Sequence, residues 1–376
     1  MARRCWLPAL AAAVLGCAWQ LLTVHFNYGG NLTALFCTGS ERPIPPALAH
    51  EHIYIFPASP GYDGQAYHYM AHDPLDNNGI GYFVDAPTTR YRRILLPAMA
   101  YLLALGQQDW IDRAYIACNL LFLFLGAWWL ARILDRRHTN TWFALLYLLV
   151  PATLIALDRL TVDMALTSLV MGFAYYAAVD DRRKLWLVVA LAVLCRDTGI
   201  ILAVAWMVPL LVRRKFREAA VFATALLPAA AWNVFVSLHM PPGTGVTWSR
   251  IVPFGGWIEL WLHPPVYHLS PVLTAAVRAL DWLQLLGFLL AFLLGLRRWR
   301  QARTNALACV CVLWAAMGIL LPPFWQDDIY VSRLFSPLLI LEFLDGQPAP
   351  MAMIVPRVGA QLMPQILGVI RALFAQ

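Results

Sequence analysis

Three short stretches of this sequence hold side chains suited to acid–base and anion chemistry. In Gly61-Tyr-Asp-Gly-Gln-Ala-Tyr-His-Tyr-Met-Ala-His-Asp-Pro74, Asp63 sits just ahead of a helix expected to start near Gly64, with Tyr67 one turn further on. A carboxylate on a rigid helix start can take the proton from an attacking hydroxyl. Cys195-Arg-Asp-Thr-Gly199 and Arg333-Leu-Phe-Ser-Pro337 each set an arginine beside an apolar run. Guanidiniums fixed in a low-dielectric site stabilise a group that leaves with negative charge.

Each of these residues has a plainer explanation beside it. An acid at Asp63 is an ordinary N-cap, although a cap alone would not need Gly61, Gly64, Gln65 and several tyrosines around it. An arginine at the hydrocarbon centre costs roughly 2.5–3.5 kcal/mol on insertion scales, so Arg196 needs a partner, and Asp163 or Asp197 is available. That pairing could be purely structural. Lipid headgroups alone would explain Arg90, Arg92 and Arg93. His68 and His72 stand at i and i+4 on one helix face, but zinc needs a third ligand, and no His-Glu-x-x-His motif or Cys pair accompanies them. The expectation there is a polar surface helix and no metal.

What positions these residues is a membrane. Of the 376 residues, 61% are hydrophobic and 13% charged, against about a quarter charged in soluble domains. The apolar runs are long enough to cross a ~30 Å hydrocarbon core, which takes about 20 helical residues. The net charge of +7 gathers in short loops at Arg132/Arg136/Arg137, Arg182/Arg183/Lys184, Arg213/Arg214/Lys215/Arg217 and Arg297/Arg298/Arg300/Arg303. That is the positive-inside pattern, and without stacking aromatics on a basic face it excludes nucleic acid as a partner. The seven cysteines lie mostly inside apolar runs, only Cys37 being expected outside, so no disulfide framework is implied. The apolar run 6–26 reads as an uncleaved first span rather than a signal peptide.

With Arg3 and Arg4 on the cytoplasmic side, that span delivers Asn27 outside, and residues 27–110 form a long extracytoplasmic loop. Its apolar stretch 93–105 is short for a span, and letting it cross would flip all four basic loops outward. The loop is therefore expected to carry two surface helices, one over 63–72 and one over 90–107. Further apolar runs cover 114–131, 142–157, 164–179, 219–238, 271–296 and 305–321. Residues 185–212 read as a hairpin of two half-helices with Arg196 at its tip, and 239–270 as a second outer loop. A run over 334–344 starts back inward, and 358–374 reads as an interfacial helix in a cytoplasmic tail, 346–376. The expected architecture is one all-α, polytopic transmembrane domain of about 10 full or partial spans. Acids, including Asp327 and Asp328, and arginines then converge on the outer face from five loops.

Here the residues begin to resemble a family. Asp63-x-x-x-Tyr67-x-x-x-Ala71, on the first outer loop, looks like the Asp-Glu-x-x-Tyr-x-x-x-Ala pattern of GT-C glycosyltransferases. These membrane enzymes take a sugar from a polyprenyl-phosphate carrier and transfer it on the outer face. Arg333-Leu-Phe-Ser-Pro337 is similar to the Arg-Tyr-x-x-Pro that opens their last outer loop into the membrane. Arg196-Asp-Thr-Gly199 is similar to the charged turn between their short helices. The sequence departs from the pattern where Gly64 stands in place of the second acid, which puts a two-carboxylate metal site in doubt.

The resemblance implies a GT-C-like fold and inverting sugar transfer with Asp63 as base. Gln65 and Tyr67 would shape the acceptor pocket. Arg333, followed by Arg196 and the cluster Arg90, Arg92 and Arg93, would serve the donor phosphate, with Asp163 and Asp197 beside them. A lipid-linked sugar is the implied donor, with no certain further cofactor, and the acceptor is a glycan, lipid or protein. The implied setting is a bacterial inner membrane with the site outside. Two other functions fit the residues. Half-helices meeting at Arg196–Asp197 suit a midplane transport or lipid-flipping site, although no matching interrupted segment occurs in the other half. A missing second acid also suits a non-catalytic membrane partner that kept the fold.

Overall fold

The computed structural model describes residues 4–241, 252–319 and 328–374. The chain begins with α1 (Trp6–Tyr28) and enters the long loop, which carries α2 (Asp63–His72), the single turn α3 (Pro87–Arg90) and α4 (Leu95–Leu103). The sheet in this loop is a two-residue parallel pair, Thr38–Gly39 with Ile55–Phe56. After α5 (Gln108–Arg136), a 3-10 run, Thr141–Leu149, and α6 (Pro151–Arg159) form one segment bent by 60°. Pro151 supplies no N–H to the preceding turn and holds Val150 extended, which breaks the helix there. Then come α7 (Asp163–Ala178), α8 (Arg182–Cys195), α9 (Ile200–Val212), α10 (Phe216–Ala223) and α11 (Leu227–His239). The chain ends with α12 (Gly255–Leu262), α13 (Pro271–Gln301), α14 (Ala306–Ile319), α15 (Asp328–Leu344) and α16 (Ala349–Phe374).

Among the described residues, five helical stretches are long and apolar enough to cross a membrane: α1, α5, the run Phe216–His239 formed by α10 and α11, α13 and α16. The bent Thr141–Arg159 segment would make a sixth. Large apolar side chains such as Leu10, Val14 and Leu21 on α1, and Leu286 and Leu293 on α13, point outward, as they do where lipid is the solvent. The chain is thus a helical membrane protein. The expected ten or so spans resolve into these five or six and a set of shorter helices, α7, α8, α9 and α14, of 13 to 16 residues.

The four basic loops meet at one end of the bundle. Arg137 and Arg298 both pair with Asp345, at 3.9 and 2.5 Å, Arg213 donates to the Thr304 carbonyl at 3.5 Å, and Arg182 pairs with Glu218 at 2.7 Å. Arg4 lines a cavity with His138 and Asn140 at this same end. The stretch 185–212 is a helix–break–helix unit, with Arg196 as the extended residue between α8 and the 3-10 turn Asp197–Gly199.

Three expectations are corrected. The first-loop helix over 63–72 has the expected bounds but is no surface helix: all ten of its residues are buried, wrapped by the 3-10 turn Leu32–Phe36, α4 and α5. The second helix is shorter than 90–107, because the chain turns between Arg90 and Leu95, and it leaves Leu102, Leu103 and Leu105 exposed. The C-terminal segment is not a surface tail. It forms α16, 26 residues packed along α13 and α1, with Asn27 Nδ2 donating to the Gln365 carbonyl at 3.0 Å. Pro356, Pro364 and Arg357 mask it in the sequence, and Asp281 on α13 neutralises Arg357 at 2.5 Å. Arg3, residues 242–251 of the second outer loop and the stretch around Asp327 lie outside the described residues, as does the side chain of Asp328.

Candidate functional site

At the end opposite the basic loops, acids and arginines alternate in a single chain of ion pairs. Arg42 pairs with Asp85 at 3.2 Å, and Asp85 holds Arg90 through two bonds of 3.0 and 2.9 Å. Arg90 reaches Asp63 Oδ1 at 2.7 Å, and Arg333 reaches the other carboxylate oxygen of Asp63 at 2.5 Å. Arg333 also donates to Asp163 Oδ2 at 3.1 Å, and Arg196 pairs with Asp163 Oδ1. The seven residues come from the first loop, α2, α3, α7, the α8–α9 break and α15. Exposure falls along the series, from 38% for the Arg42 side chain through 14% for Arg90 and 11% for Asp63 to 1% for Arg333. A ligand arriving from outside therefore meets Arg42 and Asp85 first, and reaches Arg90 and Asp63 before Arg333.

Local sequence explains how each is held. Asp63 and Asp163 are the first residues of α2 and α7, where the helix dipole favours a negative charge. Asp63 is not a cap: Tyr62 holds that position, and its ring lies between the guanidiniums of Arg159 at 4.6 Å and Arg333 at 5.0 Å. Gly199 lets the chain fold back over the end of α8, since a Cβ there would lie 2.1 Å from the Ala192 carbonyl oxygen. Pro337 lacks the N–H that would bond to the Arg333 carbonyl one turn back, which loosens α15 next to the buried guanidinium.

Asp63, Gln65, Arg90, Asp85 and Arg42 line one pocket of about 160 Å³, with Tyr62, Tyr69 and Phe83. This is below the ~300–1,000 Å³ usual for ligand sites, so in this state it admits a single group rather than a whole sugar. Burial would raise the Asp63 carboxyl, but Arg333, Arg90, Arg93 and Arg196 outweigh it and hold the group well below the usual carboxylate range. A larger cavity of about 750 Å³ lies between α8, α9 and α10 at the basic end and shares none of these residues.

The sequence-derived residues do not all fall where expected. Asp63, Asp163, Arg196 and Arg333 come together directly. Asp163, not Asp197, partners Arg196, while Asp197 stands 3.6 Å from Arg93. Tyr67 lies beneath the pocket, fully buried, and accepts a bond from Arg93 at 3.1 Å. Gln65 lines the pocket but also accepts from the Gly39 N–H at 3.2 Å and donates to Tyr69 at 3.1 Å. Arg90, for which lipid headgroups or the donor phosphate are the expected contacts, grips Asp63. The signal that could have found it is Asp85, five residues earlier on the same loop. Gly64 has a packing reason: a Cβ there would lie 2.4 Å from the Arg159 carbonyl oxygen and 2.8 Å from that of Phe36. No acid fits at that position.

The histidines also depart from expectation. His68 and His72 are buried and meet Glu51 and Asp112, the four side chains offering donor atoms that all lie within 4.8 Å of one another. Glu51 comes from the loop before α2 and Asp112 from the first turns of α5, so neither contact is visible in the local sequence around the histidines. Fold and site together define a helical membrane protein with a buried ion-pair chain opening to a small pocket at one end. No protein family, curated protein or solved structure matches the chain.

Proposed function

We propose that the protein transfers a sugar from a polyprenyl-phosphate carrier to an acceptor hydroxyl on the extracytoplasmic face, with inversion and with Asp63 as general base. The observation that carries this reading is the Asp63 carboxylate at the wall of a pocket, fixed on a helix start and flanked by guanidiniums. In the step, the acceptor oxygen bonds to the anomeric carbon, the bond to the phosphate oxygen breaks, and the acceptor proton passes to Asp63. The lipid phosphate leaves with the charge that the arginines stabilise.

A carboxylate held by two arginines is a weak base, and the same geometry supplies the remedy. A donor phosphate at the pocket competes with Asp63 for Arg90, the more exposed of its two partners. Losing that guanidinium raises the basicity of Asp63, so the base is unmasked when donor is bound. Arg333, buried behind Asp63, orients the carboxylate rather than meeting the phosphate first. Gln65 and Tyr69 shape the pocket wall, and Tyr67 acts through Arg93.

The test is release of polyprenyl phosphate from lipid-linked sugar donors by the purified full-length protein, with a panel of lipid, glycan and peptide acceptors. Asp63→Asn should lower turnover by about 10²–10⁴, the usual worth of a general base, with an unchanged gel-filtration profile. Full activity in that variant would sink the assignment. A second reading, a non-catalytic membrane partner, is favoured by the complete pairing of Asp63 and by the exclusion of any acid at Gly64. It requires wild-type protein to be inert with every donor. Solute uptake by proteoliposomes lacking lipid-linked sugar would instead favour transport.

A further inference from the structure

We infer that Glu51, His68, His72 and Asp112 form a site for a zinc-class divalent ion, on the side of α2 turned away from Asp63. His68 Nε2 lies 3.0 Å from Asp112 Oδ1 and 3.5 Å from Glu51 Oε2, and His72 Nε2 lies 3.2 Å from the same Asp112 oxygen. A tetrahedral centre with bonds of about 2.0–2.2 Å spaces its ligand atoms about 3.3–3.5 Å apart. These three separations are close to those that an ion would impose, and all four donor atoms lie within 4.8 Å of one another.

Hydrogen bonding alone does not account for the cluster. His68 is fully buried, and its Nε2 lies between two carboxylates, Asp112 and Glu51, without forming a well-aligned hydrogen bond to either. Poorly satisfied polar atoms are unfavourable when buried, and an ion would satisfy both His68 Nε2 and Glu51 Oε2. The surroundings also suit histidine ligation. With Nε2 of His72 facing Asp112, its Nδ1–H meets Gln108 Oε1 at 2.6 Å, with Glu51 Oε1 at 3.1 Å beside it, the kind of contact that fixes the tautomer of a ligating histidine. Phe36 stacks on the His68 ring at 4.2 Å and sets its plane. Two imidazoles with two carboxylates favour zinc and its neighbours over magnesium or calcium, which take oxygen ligands.

The site clips the loop at Glu51 to α2 and to the start of α5. Asp63 lies five and nine residues before the two histidines on the same helix, so the ion sets the position of α2 without touching the reacting groups. The inference does not rest on the sugar-transfer reading and stands if that reading fails.

The test uses full-length protein in detergent and needs no activity assay. Chelator-treated protein is titrated with Co²⁺, whose visible absorption reports coordination geometry, and then competed with Zn²⁺. One bound equivalent is expected, together with a rise in thermal midpoint on adding Zn²⁺. His68→Gln and Asp112→Asn should each weaken binding at least tenfold. Gln108→Leu, which removes only the outer contact, should weaken it about 10–100-fold. If folded wild-type protein binds neither ion, the cluster is a histidine–carboxylate hydrogen-bond network and the inference falls. Equal binding by wild type and both ligand variants would place the ion elsewhere and overturn it too. Should the variants fail to fold, the wild-type titration and its metal-dependent midpoint decide alone.

Discussion

Asp63 illustrates how one side chain can be legible in type and illegible in state. Its place at a helix start is written in the local sequence. Its two guanidinium partners come from 27 residues later and from α15, and only packing brings them in. Because Arg333, Arg90, Arg93 and Arg196 hold its folded pKa below the unfolded value near ~3.9, Asp63 stabilises the fold above about pH 4. That contribution disappears as pH falls from there toward the depressed folded value. Thermal midpoints of the detergent-solubilised protein should therefore drop between pH 5 and pH 3, and drop less steeply in Asp63→Asn. Parallel slopes for the two proteins would mean that the ion pairs add nothing. At neutral pH the same variant should lose roughly 1.5–3 kcal/mol, because Arg333 keeps Asp163 and Arg90 keeps Asp85. The pairing of Arg90 with Asp63 was not legible for a physical reason: an arginine in a membrane-proximal loop has an adequate explanation in lipid phosphate, and sequence alone cannot show that a carboxylate reaches it first.

Among the elements, the α8–α9 break was readable because basic residues flank a run too long for one span and too short for two. Its partner was not, since the Asp163 start of α7 and the Arg196 tip meet only when α7 and α8 pack side by side. The tightest point of this unit is Gly199 against the Ala192 carbonyl. Gly199→Ala should push the start of α9 off α8 and cost about 1–3 kcal/mol, as overpacking usually does. The matching readout is a lowered thermal midpoint that Ala192→Gly does not rescue, because the clash is with backbone. An unchanged midpoint would show that the break tolerates a shift. By contrast α16 was not legible as a span: its mean hydropathy of 1.3 is the lowest of the five candidate spans, with Pro356, Pro364 and Arg357 in its interior. What hides such a helix from sequence is that its polar atoms are satisfied by another helix.

Over the whole molecule, charge was the most reliable guide. Counting basic loops kept residues 93–105 from being taken as a span, and those loops do converge on one end through Asp345, Thr304 and Glu218. The course of the last helix was beyond that method. Since α16 leaves the basic end near Asp345 and runs to Asn27 at the far end of α1, Arg4 and Phe374 lie at opposite ends of the bundle. Reporter domains fused ahead of Arg4 and after Phe374 should therefore register opposite compartments. Both reporting from the same side would contradict the packing of α16 on α1.

The close approach at Gly64 also has a historical meaning. Once the Phe36 and Arg159 carbonyls have settled over a residue without a side chain, every codon change at that position meets backbone from two other segments. A lineage in this state cannot gain an acid beside Asp63 by one substitution, because both neighbouring segments would have to move apart beforehand. Whatever chemistry its descendants perform has to be built around a single carboxylate there.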